Sequence, residues 1–71
     1  MAEVMPTPGS SNIAQISYDA DTSDLDVEFR SGRTYRYLNV PASIWRGFQR
    51  ATSFGEYLNR VIKPRYTYEE Q

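Results

Sequence analysis

The sequence contains no cysteine and no histidine, and both absences restrict the chemistry that the chain can perform. Without cysteine there is no disulfide, no thiolate metal site and no thiol nucleophile. Without histidine the chain lacks the usual general base near neutral pH and the commonest metal ligand. We therefore expect no catalytic residues, no metal and no cofactor.

Long apolar runs are also missing, since no stretch approaches the roughly 20 residues that span a bilayer. The first residues, Met-Ala-Glu-Val-Met-Pro, are acidic and interrupted by proline, which is unlike a signal peptide. A cytoplasmic location without membrane contact is the resulting expectation. The 71 residues suffice for one domain with a small core.

Charge is unevenly distributed along the chain, although the formal net charge is only −1. Six acids and no base precede Phe29, whereas residues 29–65 contain eight bases and one acid, Glu56. The basic part also contains most of the aromatic residues. A basic segment interleaved with aromatics is typical of a surface that binds a polyanion, and RNA is the obvious one. The alternative is an ordinary surface whose bases neutralise the chain's own acidic half.

Alternation of apolar and polar residues predicts three strands after an irregular start. Residues 1–11 are rich in proline, glycine and serine and have no periodicity, so we expect a flexible N-terminal tail followed by a single domain, 12–71. The predicted strands run over residues 12–19, 25–30 and 34–40. Tyr66 and Tyr68 alternate as well, and indicate either a short terminal strand or a packed tail.

The turn after the second strand decides which way the two central tyrosines face. If Gly32 adopts the left-handed conformation in a three-residue loop, Tyr35 and Tyr37 join the apolar face of the hairpin. Arg36 then lies opposite Asp26 on the other face, where opposite charges favour the pairing. A two-residue loop would exchange the faces, so the three-residue loop is preferred.

Two helices are predicted after the third strand. Pro41 suits the first position of a helix, and the apolar residues that follow it fall on one face. Trp45 lies at the edge of that face, either as a core anchor or as an exposed stacking residue. Gly47 costs about 1 kcal/mol relative to alanine in a helix, which indicates close approach to another part of the fold. In the second helix Ser53 and Glu56 form a capping box.

These elements predict an α+β domain in the order β-β-β-α-α. A three-stranded antiparallel meander is followed by two C-terminal helices that pack on one of its faces, and the acidic strand residues occupy the other. An exposed sheet face or edge on so small a domain also suggests a homodimer.

Candidate ligand-binding residues come from the bases, the central tyrosines and the start of the second helix. The tyrosines would stack unpaired bases and the cations would neutralise phosphates. The alternatives are core packing for the tyrosines and a solvated surface for the cations. The candidate set is Arg33, Tyr35, Tyr37, Arg46, Arg50, Ser53, Gly55, Asn59, Arg60 and Lys63.

Within that set, three residues suggest a small pocket. Ser53, Gly55 and Asn59 share one side of the second helix, where free amides and a glycine would admit a phosphate beside the tyrosines. Against this, plain helix capping explains Ser53 equally well. The acids at the first turn lack the spacing of an EF-hand, so no metal site is expected.

The chain resembles the KTSC domain, a family named for its occurrence at the C-terminus of some lysyl-tRNA synthetases. The resemblance covers roughly residues 11–68. It rests on an ordered series of motifs: Ile16-Ser-Tyr18-Asp, Leu25-x-Val27-x-Phe29-x-x-Gly32, Tyr35-x-Tyr37, Val40-Pro41 and Ala51-x-Ser53-x-Gly55-x-Tyr57-x-Asn59-x-x-Ile62. The family also includes stand-alone bacterial and phage proteins. The synthetase connection implies tRNA as a ligand and does not imply aminoacylation.

Together these observations predict a non-catalytic binding module for RNA, a nucleotide or another phosphate-bearing ligand. The alternative is a protein-interaction module. Such a module would be a small phage-type regulator that binds a host protein, or a dimer that traps a nucleotide.

Overall fold

The computed structural model describes residues 2–71 as a five-stranded antiparallel sheet covered on one face by two helices. The strands follow one another across the sheet in chain order. They are β1 (Ala2–Pro6), β2 (Ile13–Asp19), β3 (Asp24–Phe29), β4 (Thr34–Tyr37) and β5 (Tyr68–Glu70). Helix α1 spans Ala42–Arg50, and α2 spans Phe54–Tyr57.

Helix α2 continues directly into a π-helical segment, Leu58–Ile62. The amide of Lys63 donates to the carbonyl of Leu58, five residues earlier, at 2.9 Å. This wider turn rotates the residues that follow relative to an ordinary helix, so Lys63 does not lie where a period of 3.6 would place it. π-helical turns are rare and frequently lie at functional sites.

The predicted three-stranded meander has too few strands, and the arrangement of the sheet also differs from the prediction. Strands β2, β3 and β4 correspond to the three predicted strands, whereas β1 and β5 add one strand at each edge. The added β1 comes from the segment expected to be a tail, and β5 follows the helices. Both are almost fully exposed, since only Met5 of β1 is partly buried. Because few of their side chains are buried, their sequences carry no apolar period, and backbone hydrogen bonds contribute much of their pairing.

The register of the β3–β4 hairpin is as predicted. Gly32 has φ +98°, which is the left-handed conformation that the three-residue loop requires. Tyr37 lies opposite Leu25, and Arg36 lies opposite Asp26. The Arg36 guanidinium donates to both oxygens of the Asp26 carboxylate, at 2.9 and 3.1 Å. These bonds raise the pKa of Arg36 above its usual value.

Trp45 anchors α1 to the sheet, so core packing is what the structure shows for this residue. Its side chain is buried and its ring stacks on Tyr18 with centroids 5.6 Å apart. The indole N–H donates to the carboxylate of Glu3 on β1 at 2.6 Å. The Tyr18 hydroxyl in turn donates to the carbonyl of Val40 at 2.6 Å. One contact network therefore joins β1, β2 and the start of α1.

The loop between β1 and β2, residues 7–12, is held by several hydrogen bonds. Thr7 is buried and its hydroxyl donates to the carbonyl of Ile13 at 2.7 Å. The Ser10 hydroxyl accepts from the amide of Ile13 at 3.0 Å. Arg30 donates through Nε to the Ser10 carbonyl and through its amide to the Asn12 carbonyl, at 3.0 and 2.8 Å. This loop is thereby fixed against the turn that follows β3.

The sheet face opposite the helices carries the acidic side chains of β2 and β3, as predicted. A shallow groove on this face contains Asp19, Asp24 and Asp26, with Arg36 beside them. Val4 lies opposite Ser17 on the same face and is 60% exposed. The acidic half of the chain is therefore displayed on one broad surface.

Candidate ligand-binding site

An open groove lies at the end of the sheet where β3 turns into β4. Its volume is about 390 Å³, and we call it the basic groove. Three cationic side chains line it: Arg30, Arg33 and Lys63. Phe29 and Tyr35 supply aromatic rings, and no acid is present among the described residues that line it. The groove therefore presents concentrated positive charge beside aromatic rings, although the whole chain is slightly acidic.

Two of the three cations come from the β3–β4 turn, and the third follows the second helix. Arg30 is positioned by its hydrogen bond to the Ser10 carbonyl. Arg33 follows the glycine turn, and its side chain is 67% exposed. Lys63 is brought in by the π-helical turn that precedes it. The Glu70 carboxylate lies 3.9 Å from Arg33, a long and exposed contact that an anionic ligand would displace at little cost.

Four aromatic rings form a row beside the basic groove. Tyr35 meets the edge of Phe29 at 5.2 Å and stacks on Tyr68 at 4.6 Å. Tyr68 also contacts Tyr37 at 5.5 Å. Tyr37 is 1% exposed and belongs to the core, whereas Tyr68 is 52% exposed. Of the two candidate tyrosines, only Tyr35 lines the groove, and the neighbouring ring open to a ligand is Tyr68.

The hydroxyl of Tyr37 is buried and has no hydrogen-bond partner within residues 2–71. Burial raises the pKa of Tyr37, with smaller contributions from the neighbouring Tyr68 and Tyr35. The side chain therefore supports the row of rings from below rather than contacting a ligand. This is the core-packing alternative that the sequence left open.

A second groove adjoins the basic groove, and Ser11 and Asn12 line both. Its volume is about 230 Å³. The remaining walls are residues 9–10 on one side and residues 52–55 on the other. Every described residue that lines it is uncharged, so we call it the neutral groove. Two residues of the candidate set, Ser53 and Gly55, lie here.

Ser53 also acts as a helix cap, as the sequence predicts. Its hydroxyl accepts from the amide of Glu56 at 3.3 Å. The reciprocal half of the capping box is replaced by an ion pair, since the Glu56 carboxylate lies 3.4 Å from the Arg60 guanidinium. Both partners are exposed, with side chains 58% and 78% accessible. Arg60 therefore lies beside a carboxylate of its own helix.

The other helix bases do not join the basic groove. Arg46 lines a separate groove with Trp45 and Gln49, beside the end of β2 at Tyr18. The basic groove instead lies where β2 begins and β3 ends, because Ile13 pairs with Phe29 at that end of the sheet. The bases are thus divided between opposite ends of the sheet.

Two further members of the candidate set are exposed on the helices. Within the described part of the chain, Arg50 and Asn59 line neither the basic nor the neutral groove. The expected pocket of Ser53, Gly55 and Asn59 beside both tyrosines is therefore not the arrangement seen. Only the first two residues share a groove, and Tyr35 lies in the adjoining one.

Two contributors were absent from the sequence-based set. Arg30 is one of the three groove cations, and its proximity to Arg33 across the turn was a usable signal. Tyr68 is the exposed ring stacked on Tyr35, and its signal was the alternation with Tyr66. Neither signal distinguishes a groove residue from an ordinary surface residue without knowledge of the fold.

Neither a metal-binding cluster nor a helix suited to span a membrane occurs in residues 2–71. Among residues 2–71, no group of three or more acidic, histidine or cysteine side chains is close enough to hold a metal ion. No helix in the described part of the chain has the length and apolar character needed to cross a membrane.

Comparison with known proteins places the fold and both grooves within a known family. Residues 9–66 match the family described as the KTSC domain. The chain belongs to the KTSC family. The match contains every residue that lines the basic and neutral grooves. It excludes β1 and β5, the two edge strands that the sequence pattern did not predict.

Individual relatives extend this comparison. A lysine–tRNA ligase of Nostoc punctiforme is 38% identical over 63 residues, which cover 89% of this chain and 11% of the ligase. The KTSC chain thus spans about a tenth of the length of the ligases that it matches. An uncharacterised protein of Stutzerimonas stutzeri is 39% identical over 57 residues, covering 80% of each chain.

A solved structure shows that the similarity extends to the edge strands. The crystal structure of a KTSC domain protein from Yersinia pestis is 34% identical to this chain, with a TM-score of 0.90. The alignment covers 100% of this chain and 99% of the Yersinia protein. The KTSC fold therefore occurs as a separate small protein as well as within larger ones.

Proposed function

We propose that this chain is a non-catalytic binding module for RNA or another phosphate-bearing ligand, which it holds in the basic groove. The observation that supports this most directly is the convergence of Arg30, Arg33 and Lys63 without a lining acid. Relatives named lysine–tRNA ligase contain a similar segment, and tRNA is part of that activity. RNA is therefore the favoured phosphate-bearing ligand.

Phosphate would bind at the mouth of the basic groove. Arg33 presents an exposed guanidinium, whose planar fork suits two phosphate oxygens. Lys63 adds an ammonium group to the same groove. Arg30 retains its terminal nitrogens for the ligand, because its Nε alone is used by Ser10. Three cations at one site would bind a phosphodiester backbone and favour it over a neutral ligand.

A base of the same ligand would stack on the aromatic row. Tyr35 faces the groove, and Tyr68 presents a half-exposed ring beside it. Unpaired bases commonly stack on aromatic side chains displayed by a sheet, and each stacked base contributes roughly 1–3 kcal/mol. The combination of cations and rings therefore suits single-stranded RNA better than a compact duplex.

A salt titration with single-stranded oligouridylate tests this function. The logarithm of affinity should fall with the logarithm of salt concentration, by about 0.7 for each phosphate neutralised. Arg33→Gln and Lys63→Gln should each reduce that slope by about 0.7. Arg65→Gln removes an exposed base that lines neither groove, and should leave the slope unchanged.

Two results would contradict the proposal. Absence of oligouridylate binding even at low salt would exclude RNA as the ligand. Binding whose salt slope is the same in the parent, Arg33→Gln and Lys63→Gln proteins would place the phosphates elsewhere. Circular dichroism of each variant separates a loss of ligand contact from a loss of fold.

The uncovered acidic face of the sheet favours a second function, that of a protein-interaction module. Asp19, Asp24 and Asp26 lie together there, and Asp26 is paired with Arg36. A partner with a basic surface, such as a host protein, would fit this face. A pull-down from host lysate with the parent and with Asp24→Asn tests it, because a partner of this face should bind the variant less well.

A further inference from the structure

The neutral groove adjoins the basic groove but has no charged side chain among its described lining residues. Ser11 and Asn12 form a wall of both. Behind them, Ser10 is fixed by Arg30, whose side chain itself lines the basic groove. The boundary between the two grooves is thus a hydrogen-bonded loop and not a mobile flap. A ligand that extends from the basic groove past Ser11 and Asn12 therefore enters the neutral groove.

The lining of the neutral groove suits the uncharged parts of a nucleotide. Ser11, Asn12 and Thr52 are polar groups that both donate and accept hydrogen bonds. Phe54 adds an aromatic ring that is partly exposed. Such groups pair with base edges and sugar hydroxyls, whereas the cations of the basic groove are better suited to phosphate.

Two glycines leave space in this groove. Outside its own helical turn, no atom of residues 2–71 lies within 4 Å of a Cβ placed on Gly55. A Cβ placed on Gly9, in the opposite wall, likewise has no atom of the described chain within 4 Å beyond its chain neighbours. Neither glycine has a positive φ, so the backbone conformation does not require glycine at either position. Both positions therefore have room for a larger side chain.

We propose that the two grooves form one track for a single-stranded oligonucleotide. One phosphate binds in the basic groove, and the sugar and base of the adjoining nucleotide occupy the neutral groove. This inference rests on the proposed function, and it specifies that the ligand is a strand rather than a mononucleotide. Along the strand, a phosphate contacts the cations of the basic groove, and the next sugar and base form hydrogen bonds with the uncharged side chains of the neutral groove.

A side chain placed in the neutral groove tests the track. Gly55→Gln fills the open space with an uncharged group that favours a helix. Its affinity for oligouridylate of about eight nucleotides should fall by about tenfold, the size expected for losing one nucleotide's contacts. The salt slope should not change, because the neutral groove binds no phosphate. Arg33→Gln, in contrast, lowers both the affinity and the slope.

A second variant guards against local misfolding. Gly9→Gln enters the same groove from the other wall and should reproduce the effect. Ser43→Gln, an exposed position of α1 outside both grooves, is the matched control and should bind as the parent does. Thermal unfolding monitored by circular dichroism confirms that each variant is folded.

The outcomes distinguish the track from the proposed function itself. If both glycine variants bind oligouridylate as the parent does while Arg33→Gln weakens it, the track is wrong and the basic groove stands. If a glycine variant changes the salt slope, the neutral groove contacts phosphate and the assigned order is wrong. If oligouridylate does not bind at all, both inferences fail.

The shared chemistry is a phosphodiester strand with attached bases, which RNA and single-stranded DNA both provide. Oligothymidylate of equal length separates the two sources. Weakening by Gly55→Gln in either series supports the track, and tighter binding of the RNA series would assign a contact to the 2′-hydroxyl. Equal binding by the parent and both glycine variants in both series would overturn it.

Discussion

The phenol of Tyr57 lies directly against Gly47, where the second helix crosses α1. A Cβ at Gly47 would overlap the Tyr57 hydroxyl oxygen and lie 3.2 Å from the ring carbon that carries it. The same hydroxyl donates to the Ile44 carbonyl at 3.0 Å. The glycine in α1 therefore marks a close approach, as its position in the sequence predicts. Glycine lowers the intrinsic stability of α1 but allows Tyr57 of the second helix to pack against it.

Gly47→Ala should destabilise the protein by up to about 2 kcal/mol, even though alanine favours a helix. The added methyl group forces Tyr57 away from Ile44, and overpacking of this kind typically costs about 1–3 kcal/mol. The gain in helix propensity offsets only about 1 kcal/mol of that. Urea unfolding followed by circular dichroism measures the difference.

The matched control is Gly55→Ala, because that glycine has open space in front of it. It should gain up to about 1 kcal/mol from helix propensity alone. In a Tyr57→Phe background, Gly47→Ala should cost less, since the overlapping oxygen is gone. Equal effects of alanine at the two glycines would show that the Tyr57 contact is unimportant.

Tyr37→Phe should stabilise the protein by about 1 kcal/mol, because it removes a buried hydroxyl that lacks a partner in the described chain. Tyr18→Phe is the contrasting variant, since that hydroxyl donates to Val40 at 2.6 Å. Its loss should cost about 1 kcal/mol. A destabilised Tyr37→Phe protein would indicate that the hydroxyl makes a bond not seen here.

The same hydroxyl predicts a loss of stability in alkaline solution. Burial raises the pKa of Tyr37 above its usual value of 10.0, and burial also raises the pKa of Tyr57. The unfolded chain therefore loses these protons first as pH rises, which favours unfolding. Stability should be constant up to about pH 10 and fall above it. Urea midpoints across this range should fall less steeply for Tyr37→Phe than for the parent.

Glu3 should hold β1 on the sheet through Trp45, the only tryptophan of the chain. Glu3→Ala removes the acceptor of the indole N–H, and should cost about 1 kcal/mol and shift the tryptophan emission to longer wavelength. Val4→Ala, on the same strand but the opposite face, is the control and should leave the emission unchanged. An unchanged spectrum for Glu3→Ala would mean that this bond is not formed in solution.

The division of the bases between two ends of the sheet makes a prediction about RNA binding. Arg33→Gln with Lys63→Gln should reduce the salt slope by about 1.4, whereas Arg46→Gln with Arg50→Gln should leave it nearly unchanged. Salt titration of the two double variants measures this directly. A larger effect of the second pair would move the phosphate site to α1.

The hairpin at the centre of the sheet was predictable because its determinants are local. The alternation in β3 and β4 identified the strands, and Gly32 selected the loop that sets their register. The pairing of Asp26 with Arg36 follows from that register alone. Helical spacing placed Trp45 only at the edge of the apolar face, and the structure shows that it is buried.

The edge strands and the grooves were not predictable in this way. Strand β1 is held by pairing with β2 and by one bond from Glu3, so its sequence carries no apolar period. Lys63 reaches the basic groove through a π-helical turn that the 3.6-residue period does not indicate. The candidate set therefore combined residues from both ends of the molecule.

The sequence by itself determined the class of fold, the hairpin register, the separation of charge along the chain and the family resemblance. Each of these depends on residues close together in the chain or on an ordered motif. Only the tertiary structure decided which bases meet. Arg30 and Arg33 join Lys63 because the β3–β4 turn packs beside the end of the second helix. Arg46 is directed to the opposite end by the helix that carries it.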